Sequence, residues 1–214
     1  MRKLFVLLVC VAGATFAAQP AHADPAAQYA ACLSEMHPER VRALLQAPSA
    51  EAANQPYRSL SDDSRCFTRV FDSQPYRAED VALSLDMLRG RLAEQALLAQ
   101  GAQMEALQPL PLQQKRYIRQ WFAATGRNPA VDEMGACIAD TDPAAIMALI
   151  RTSPGSSLET DAIGAMSPSL TRCLSAGTRL DASRQALRAA LADALYQRVS
   201  NPTLSLARVP ERGL

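Results

Sequence analysis

A cysteine-centred pattern occurs twice in this chain and limits its fold more than any other feature. Ala31-Cys32-Leu33 recurs 105 residues later as Ala136-Cys137-Ile138, and Arg65-Cys66 recurs 107 residues later as Arg172-Cys173. Other matching positions are Pro38 with Pro143, 43–45 with 148–150, Pro48 with Pro154, Leu88-Arg89 with Leu187-Arg188, and 92–94 with 191–193. Because order and residue type agree over most of both halves, we predict an internal duplication.

The four cysteines of this pattern predict two disulfides. Residues 1–23, which have the layout of a cleaved signal peptide as described below, include Cys10, so four of the five cysteines remain in the exported protein. An even number of cysteines in an exported protein indicates disulfides, and four cysteines allow three connectivities. A duplicated unit should keep its own bond, so we favour Cys32–Cys66 and Cys137–Cys173. Cross-pairing of Cys32 with Cys137 and of Cys66 with Cys173 also respects the symmetry and stays open. A zinc site is disfavoured, because zinc ligands come in closely spaced pairs and no two of these cysteines lie closer than 34 residues.

Hydrophobic periodicity predicts helices in both halves. Each half places its first cysteine in a short helical stretch, at 25–35 and at 131–139. Pro38 and Pro143 then stand where a helix accepts proline, in its first turn, and Asp142 is a predicted N-cap. The last helix of each half has leucines at helical spacing, with charged and amide residues on its other faces. Alternating β-branched residues are absent, so the sequence predicts an all-α fold.

The segment between the two halves holds the densest aromatic cluster. Two prolines within 108–112 exclude a helix there. Tyr117, Ile118, Trp121 and Phe122 then fall on one helical face, which ends at Thr125-Gly126. Large aromatic side chains normally supply buried area, so we expect this aromatic patch to fill the seam between the units. The alternative is a surface that faces a partner.

The first 23 residues have the layout of a secretory signal peptide. Arg2 and Lys3 precede an apolar stretch over 4–18, and Ala21-His22-Ala23 presents small residues at the positions that a signal peptidase recognises. We therefore expect cleavage between Ala23 and Asp24. Retention as a membrane anchor is the alternative, and the shortness of the apolar run disfavours it.

Composition argues against a nucleic-acid partner and against a membrane span beyond the amino-terminal segment. The chain of 214 residues is 49% hydrophobic and 20% charged, with a formal net charge of +1. A net charge so close to zero lacks the basic surface that nucleic acids bind, so we expect no nucleic-acid partner. No later apolar run is long enough to cross a bilayer, so we expect no transmembrane span after signal cleavage.

The sequence contains no motif for catalysis, for a cofactor or for a metal ion. A Gly-rich phosphate loop, a G-x-S-x-G elbow and an H-E-x-x-H helix are all missing. His37, the one histidine left after signal cleavage, is expected to be exposed in a loop. The acidic pairs Asp62-Asp63, Glu79-Asp80 and Asp132-Glu133 are expected on solvated faces or at helix caps, because adjacent helical positions do not face each other. We therefore assign no catalytic residue, no cofactor and no metal ligand.

The repeated pattern resembles that of a group of exported proteins from GC-rich Gram-negative bacteria. In each half the pattern runs through Ala-Cys, Pro, Ala-Leu, Pro and Arg-Cys to a final Leu-Arg-x-x-Leu-Ala helix. The likeness covers about residues 29–100 and 117–200. It implies export and two cysteine-paired helical repeats. No activity is assigned to the group, so the resemblance lends no catalytic residue.

The sequence thus predicts an all-α protein of two tandem, pseudo-equivalent, disulfide-bonded units in one compact body. The predicted organisation is a signal peptide (1–23), unit 1 (24–100), a connecting segment (101–130), unit 2 (131–200) and a mobile C-terminal tail (201–214). We expect a periplasmic or secreted protein that binds an unidentified protein or envelope component without catalysis. The alternative is a small cell-envelope hydrolase whose carboxylates converge in a cleft at a separation of about 5–10 Å.

Overall fold

The structure, a computed structural model, describes residues 24–71, 83–113, 117–175, 177–178 and 180–202. Every regular element within these ranges is a helix, which confirms the predicted all-α fold. The signal peptide (1–23), the acidic pair Glu79-Asp80 and most of the predicted tail (203–214) lie outside the described residues. None of the described helices combines the length and the apolar character needed to cross a membrane.

Unit 1 contains helices whose starts follow local sequence rules. They are α1 (Pro25–Met36), α2 (Pro38–Leu45), α3 (Ala50–Ser61), α4 (Ser64–Phe71) and α5 (Leu85–Ala99). Pro38 opens α2 as predicted. N–H groups in the first turn of a helix have no acceptor within the helix, so the N–H that proline lacks costs no hydrogen bond there. The hydroxyl of Ser49 accepts a hydrogen bond of 3.2 Å from the backbone N–H of Ala52, and this caps α3.

Unit 2 repeats the order of helix types. Its helices are α7 (Pro129–Thr141), α8 (Pro143–Ile150), α9 (Ser157–Ala165), α10 (Ser167–Cys173) and α11 (Arg184–Ser200). The predicted N-cap is confirmed, because the carboxylate of Asp142 accepts a hydrogen bond of 3.3 Å from the backbone N–H of Ala145 and α8 begins at Pro143. Each unit therefore passes from a cysteine-bearing helix through a proline-initiated helix to one long final helix.

The connecting segment contains α6 (Ala102–Glu105) and a 3-10 helix (Gln120–Ala124). The prediction of one helical face from Tyr117 to Phe122 is wrong in its first part, because residues 117–119 are not helical. Two contacts with α7 explain their extended course. The backbone N–H of Tyr117 donates to Glu133 at 3.2 Å, and the guanidinium of Arg119 donates to Asp140 at 3.0 Å.

Both disulfides lie within one unit. Cys32 is bonded to Cys66 and Cys137 to Cys173, each with a Cα–Cα distance of 5.6 Å. These are the pairs that the repeat favoured, and the cross-pairing is not found. The first bond joins α1 to α4 and the second joins α7 to α10, so the bond links the first and the fourth helix of each unit.

The two long helices, α5 and α11, pack against each other at the centre of the molecule, with α1 against α5 and α7 against α11. The two helices cross closely at Gly90, where a built Cβ atom would lie only 2.3 Å from the Cβ of Ala189. Glycine is therefore required at this crossing. Ala189 follows Gly90 by 99 residues, the same offset that relates Leu88 to Leu187, so corresponding positions meet there. The duplication itself stays a prediction.

The buried apolar side chains of both units form one continuous core. Leu33 of α1 and Leu88 of α5 are fully buried in it, as are Ile138 of α7 and Leu195 of α11. A buried leucine or isoleucine contributes about 1.5–3 kcal/mol to folding. Because no solvent separates the cores of the two units, the described residues pack as the single body that the sequence predicted.

Candidate functional site

The seam between α5 and α11 contains two buried ion pairs, which we call the seam pairs. Arg89 of α5 contacts Asp193 of α11 at 3.0 Å, and Arg188 of α11 contacts Glu94 of α5. All four side chains are at most 4% exposed. Charged residues of both long helices are therefore buried between them. Arg188 follows Arg89 by 99 residues and Asp193 follows Glu94 by 99 residues, so the arginine of each unit pairs with the carboxylate of the other unit.

The seam arginines also satisfy the ends of two helices. The guanidinium of Arg89 donates to the carbonyl oxygens of Leu44 and Leu45, at the end of α2. That of Arg188 donates to the carbonyl oxygens of Leu149 and Ile150, at the end of α8. The last carbonyls of a helix have no partner within the helix, and a cation there also interacts favourably with the helix dipole. These contacts explain why two arginines are held in the core.

A third arginine brings two carboxylates together. Arg127 contacts Asp132 at 2.8 Å and also contacts Asp193 of the first seam pair. The hydroxyl of Thr125 donates to Asp132 at 2.5 Å. Asp132 lies in the first turn of α7 but is 1% exposed, so of the two expected settings for Asp132-Glu133, a solvated face or a helix cap, the solvated face is wrong. Glu133 is buried as well, and its carboxylate accepts the backbone hydrogen bond from Tyr117.

Burial and the arginines act in opposite directions on these carboxyl groups. Burial raises the pKa of Asp132 above its ordinary value, and Arg127 only partly compensates. Burial also acts to raise the pKa of Asp193, but Arg89 and Arg127 outweigh it and hold that pKa below its ordinary value. Asp193 therefore remains an anion inside the core, with two guanidinium groups as its counter-ions.

Two pairs of carboxylates lie close together, and each pair contacts a buried arginine and does not line a cleft. Glu94 and Glu159 meet at Arg188, with 3.2 Å between Glu159 and the guanidinium. Asp132 and Asp193 meet at Arg127. A glycosidase needs one carboxyl group as a proton donor and a second beside the substrate, both open to it. The four carboxylates named here are at most 4% exposed, so no substrate reaches them.

His37 is tied to a helix cap. Its Nε2 atom lies 2.8 Å from Asp63, and the two side chains are 10% and 9% exposed, so the expectation of an exposed loop histidine is wrong. Asp63 caps α4 by accepting a hydrogen bond of 2.9 Å from the backbone N–H of Cys66, whereas Asp62 is exposed. Burial acts to raise the pKa of Asp63, but the bonds from Cys66 and His37 prevail and lower it. The disulfide leaves Cys66 no thiol for a nucleophile.

The aromatic patch lies between elements of both units. Trp121 and Tyr117 are 5% and 4% exposed, while Ile118 and Phe122 are partly buried. The 3-10 helix that carries Trp121 and Phe122 packs against α3 of unit 1, and Tyr117 is bonded to Glu133 of unit 2. The rings of Trp121 and Phe122 meet edge to face, with 4.6 Å between their centroids. This burial leaves little of the patch to face a partner.

An open groove of about 300 Å³ lies on unit 1, where α1, α2, α5 and α11 meet. We call it the unit 1 groove. Its lining residues are Ser34, Pro38, Val41, Arg42, Leu45, Gln95, Ala96, Ala99, Gln100, Tyr196 and Ser200. None of them is acidic. Tyr196 is 7% exposed, and its hydroxyl makes no hydrogen bond with any described residue. The groove therefore offers apolar walls, amides, one guanidinium and the unpaired hydroxyls of Tyr196 and Ser200.

Sequence reasoning found neither the seam pairs nor the groove. A recurrence of Arg and an acid at the same offset in both long helices, Arg89 with Glu94 and Arg188 with Asp193, is the feature that could have indicated the seam pairs. Among the described residues no group of three or more histidines, cysteines and acids is placed to hold a metal ion. No protein-family model, no curated protein and no solved structure matches the chain. The resemblance to a group of exported proteins stays a prediction.

Proposed function

We propose that this protein is exported to the periplasm or beyond and acts there as a non-catalytic binding module. The observation that carries the proposal is the contrast between its acids and its groove. The convergent carboxylates are sealed against arginines, whereas the unit 1 groove is open and has no acid in its lining. A surface with apolar walls and a few polar groups is typical of a ligand-binding site.

The two disulfides support the export part of this proposal. Disulfides persist in oxidising compartments and are rare in the cytosol, where thiols are kept reduced. Both bonds link neighbouring helices within a unit, so each maintains the packing of α1 on α4 or of α7 on α10. The amino-terminal layout of basic residues, apolar run and Ala21-His22-Ala23 favours the same compartment.

Affinity capture with groove variants tests the proposal. Ala96→Leu places in the groove the side chain that unit 2 has at the corresponding position, Leu195. Ala52→Leu adds the same side chain on an exposed position of α3 and serves as the matched control. We expect wild type and Ala52→Leu, tagged and exported, to enrich the same envelope component, and Ala96→Leu to lose it.

Two results would contradict the proposal. Equal capture by all three proteins would mean that the groove is not the binding surface. Time-dependent release of soluble glycan fragments from purified cell wall, by native but not by heat-denatured protein, would favour the hydrolase alternative instead. The four carboxylates that converge at Arg127 and Arg188 are at most 4% exposed, so they do not supply the accessible acid pair that this alternative needs.

A further inference from the structure

The surface of unit 2 that corresponds to the unit 1 groove is covered by the chain itself. The backbone N–H of Leu110 donates to the carbonyl oxygen of Asp140, at the end of α7, at 2.6 Å. Arg198 of α11 donates to the carbonyl oxygens of Gln108 and Ala139, so its side chain joins the connecting segment to the same helix end. Leu107 of the same segment packs against the core.

Corresponding positions identify this covered surface with the groove. Ser34 and Ala99 line the unit 1 groove, and their counterparts at offsets of 105 and 99 residues are Ala139 and Arg198. The segment that includes Gln108 and Leu110 therefore rests on the unit 2 equivalent of the groove. The structure thus contains one filled and one open version of the same helix arrangement.

Side-chain size explains why only one version is open. Unit 2 has Ile146, Met147, Leu195 and Arg198 where unit 1 has Val41, Arg42, Ala96 and Ala99. The four unit 2 side chains are at most 7% exposed. In unit 1 the two alanines leave space, and the side chain of Arg42 is 57% exposed and paired with Glu39 on the surface.

We propose that the unit 1 groove binds an extended peptide segment of a partner protein. The peptide would carry two apolar side chains three residues apart, with adjacent prolines, as Leu107 and Leu110 do on unit 2. Prolines keep such a segment extended before it binds, which lowers the entropy that binding costs. The inference rests on the proposed function, because it names the partner class of that same groove.

Two features of the groove fit a peptide backbone. α1 ends beside the groove, and the last carbonyls of a helix need donors from outside it. A peptide N–H supplies such a donor, as the N–H of Leu110 does for Asp140 of α7. The unpaired hydroxyl of Tyr196 gives the peptide a further hydrogen-bonding partner. An extended segment would thus satisfy both polar features while its apolar side chains contact Val41 and Ala96.

A labelled peptide of residues 104–113, Met-Glu-Ala-Leu-Gln-Pro-Leu-Pro-Leu-Gln, is the probe for this proposal. Fluorescence anisotropy with the exported wild-type protein should give saturable binding. Ala96→Leu should weaken binding at least about tenfold by occupying the groove, while Ala52→Leu should leave it unchanged. Tyr196→Phe should weaken binding by about two- to tenfold, the effect of one hydrogen bond.

A change in the peptide keeps the test independent of protein folding. Replacing both leucines of the peptide, Leu107→Asp and Leu110→Asp, should abolish binding to wild-type protein. Equal binding of both peptides, or none of either, overturns the inference. Binding that appears only after residues 203–214 are deleted also overturns it, since the groove would then belong to the protein's own chain. Failure of the peptide together with capture of an envelope component that Ala96→Leu loses would reject the peptide and retain the binding module.

Discussion

The crossing of α5 and α11 makes one substitution unusually informative. In Gly90→Ala the new Cβ atom would lie 2.3 Å from the Cβ, 2.4 Å from the Cα and 2.6 Å from the carbonyl oxygen of Ala189. Two of these are backbone atoms, which cannot rotate away, so the two helices must separate. Overpacking of this kind costs about 1–3 kcal/mol. The better helix propensity of alanine returns only about 0.5–1 kcal/mol.

We therefore expect Gly90→Ala to lower the free energy of unfolding by about 1–2 kcal/mol. Gly164→Ala is the matched control, because Gly164 also lies in a helix, α9, and a Cβ there meets nothing within 4 Å. That variant should gain up to about 1 kcal/mol from propensity alone. Urea unfolding followed by circular dichroism at fixed pH measures both values.

The two glycine variants should change stability in opposite directions. If Gly90→Ala is as stable as Gly164→Ala, the two long helices are not in contact at corresponding positions, and the packing described above is wrong. Adding Ala189→Gly to Gly90→Ala should restore only part of the loss, because the contacts with the backbone of residue 189 remain. Full restoration would mean that the Cβ contact alone limits the approach.

Three further predictions concern the bonds that hold the units together. Cys137→Ser should destabilise the exported protein by about 2–5 kcal/mol, and adding Cys173→Ser should cost little more, whereas additive losses in denaturant unfolding would mean that the two are not partners. Arg188→Met should cost about 3–5 kcal/mol by leaving the buried Glu159 without an ion-pair partner and Glu94 with Arg91 alone, while Arg184→Met, at an exposed position, should stay within about 0.5 kcal/mol. The folded-state pKa of Asp193 is lowered, so its ion pairs stabilise the protein above the ordinary carboxyl pKa of 3.8 and lose that effect as the pH falls through the lowered value. The deficit of Asp193→Asn should hence be full at pH 7 and shrink toward low pH, and a deficit that grows on acidification would refute this assignment.

Local rules accounted for the helix starts and the disulfides. Pro38, Pro143 and Asp142 act through their own backbone and nearest neighbours, so their roles can be derived from a few residues of sequence. The pairing of Cys32 with Cys66 followed from the repeat, which constrains contacts over a longer range. These features depend on chain order and not on the packing of distant helices.

The buried charges could not be derived in the same way. Periodicity analysis assigns arginine and aspartate to solvent, because burial of an unpaired charge is costly. Arg89 and Asp193 avoid that cost only by meeting across a sequence separation of 104 residues. Asp132 is buried for a similar reason, since Arg127 reaches both it and Asp193. Such partners become visible only when the two units are packed together.

The groove was not predicted from the sequence, because it results from differences in side-chain size between two similar units. Ala99 and Arg198 occupy corresponding positions, and nothing in either local sequence says that one leaves a cavity and the other fills it. The consequence depends on the neighbouring chain, which covers unit 2 through Gln108 and Leu110. The candidate binding surface is therefore the part of unit 1 that stays open where the corresponding part of unit 2 is covered.

Hydrogen-exchange mass spectrometry of the exported protein, with and without the 104–113 peptide, shows whether the unit 1 groove is the binding surface and the buried carboxylates are structural. We predict that the peptide slows exchange in the last turn of α1, in α2 and in the last turns of α5 and α11, whose residues line the groove, and leaves α7 unchanged. Protection centred on Arg127 to Glu133, with none around the groove, would mean that the peptide binds at the buried carboxylates and not in the groove.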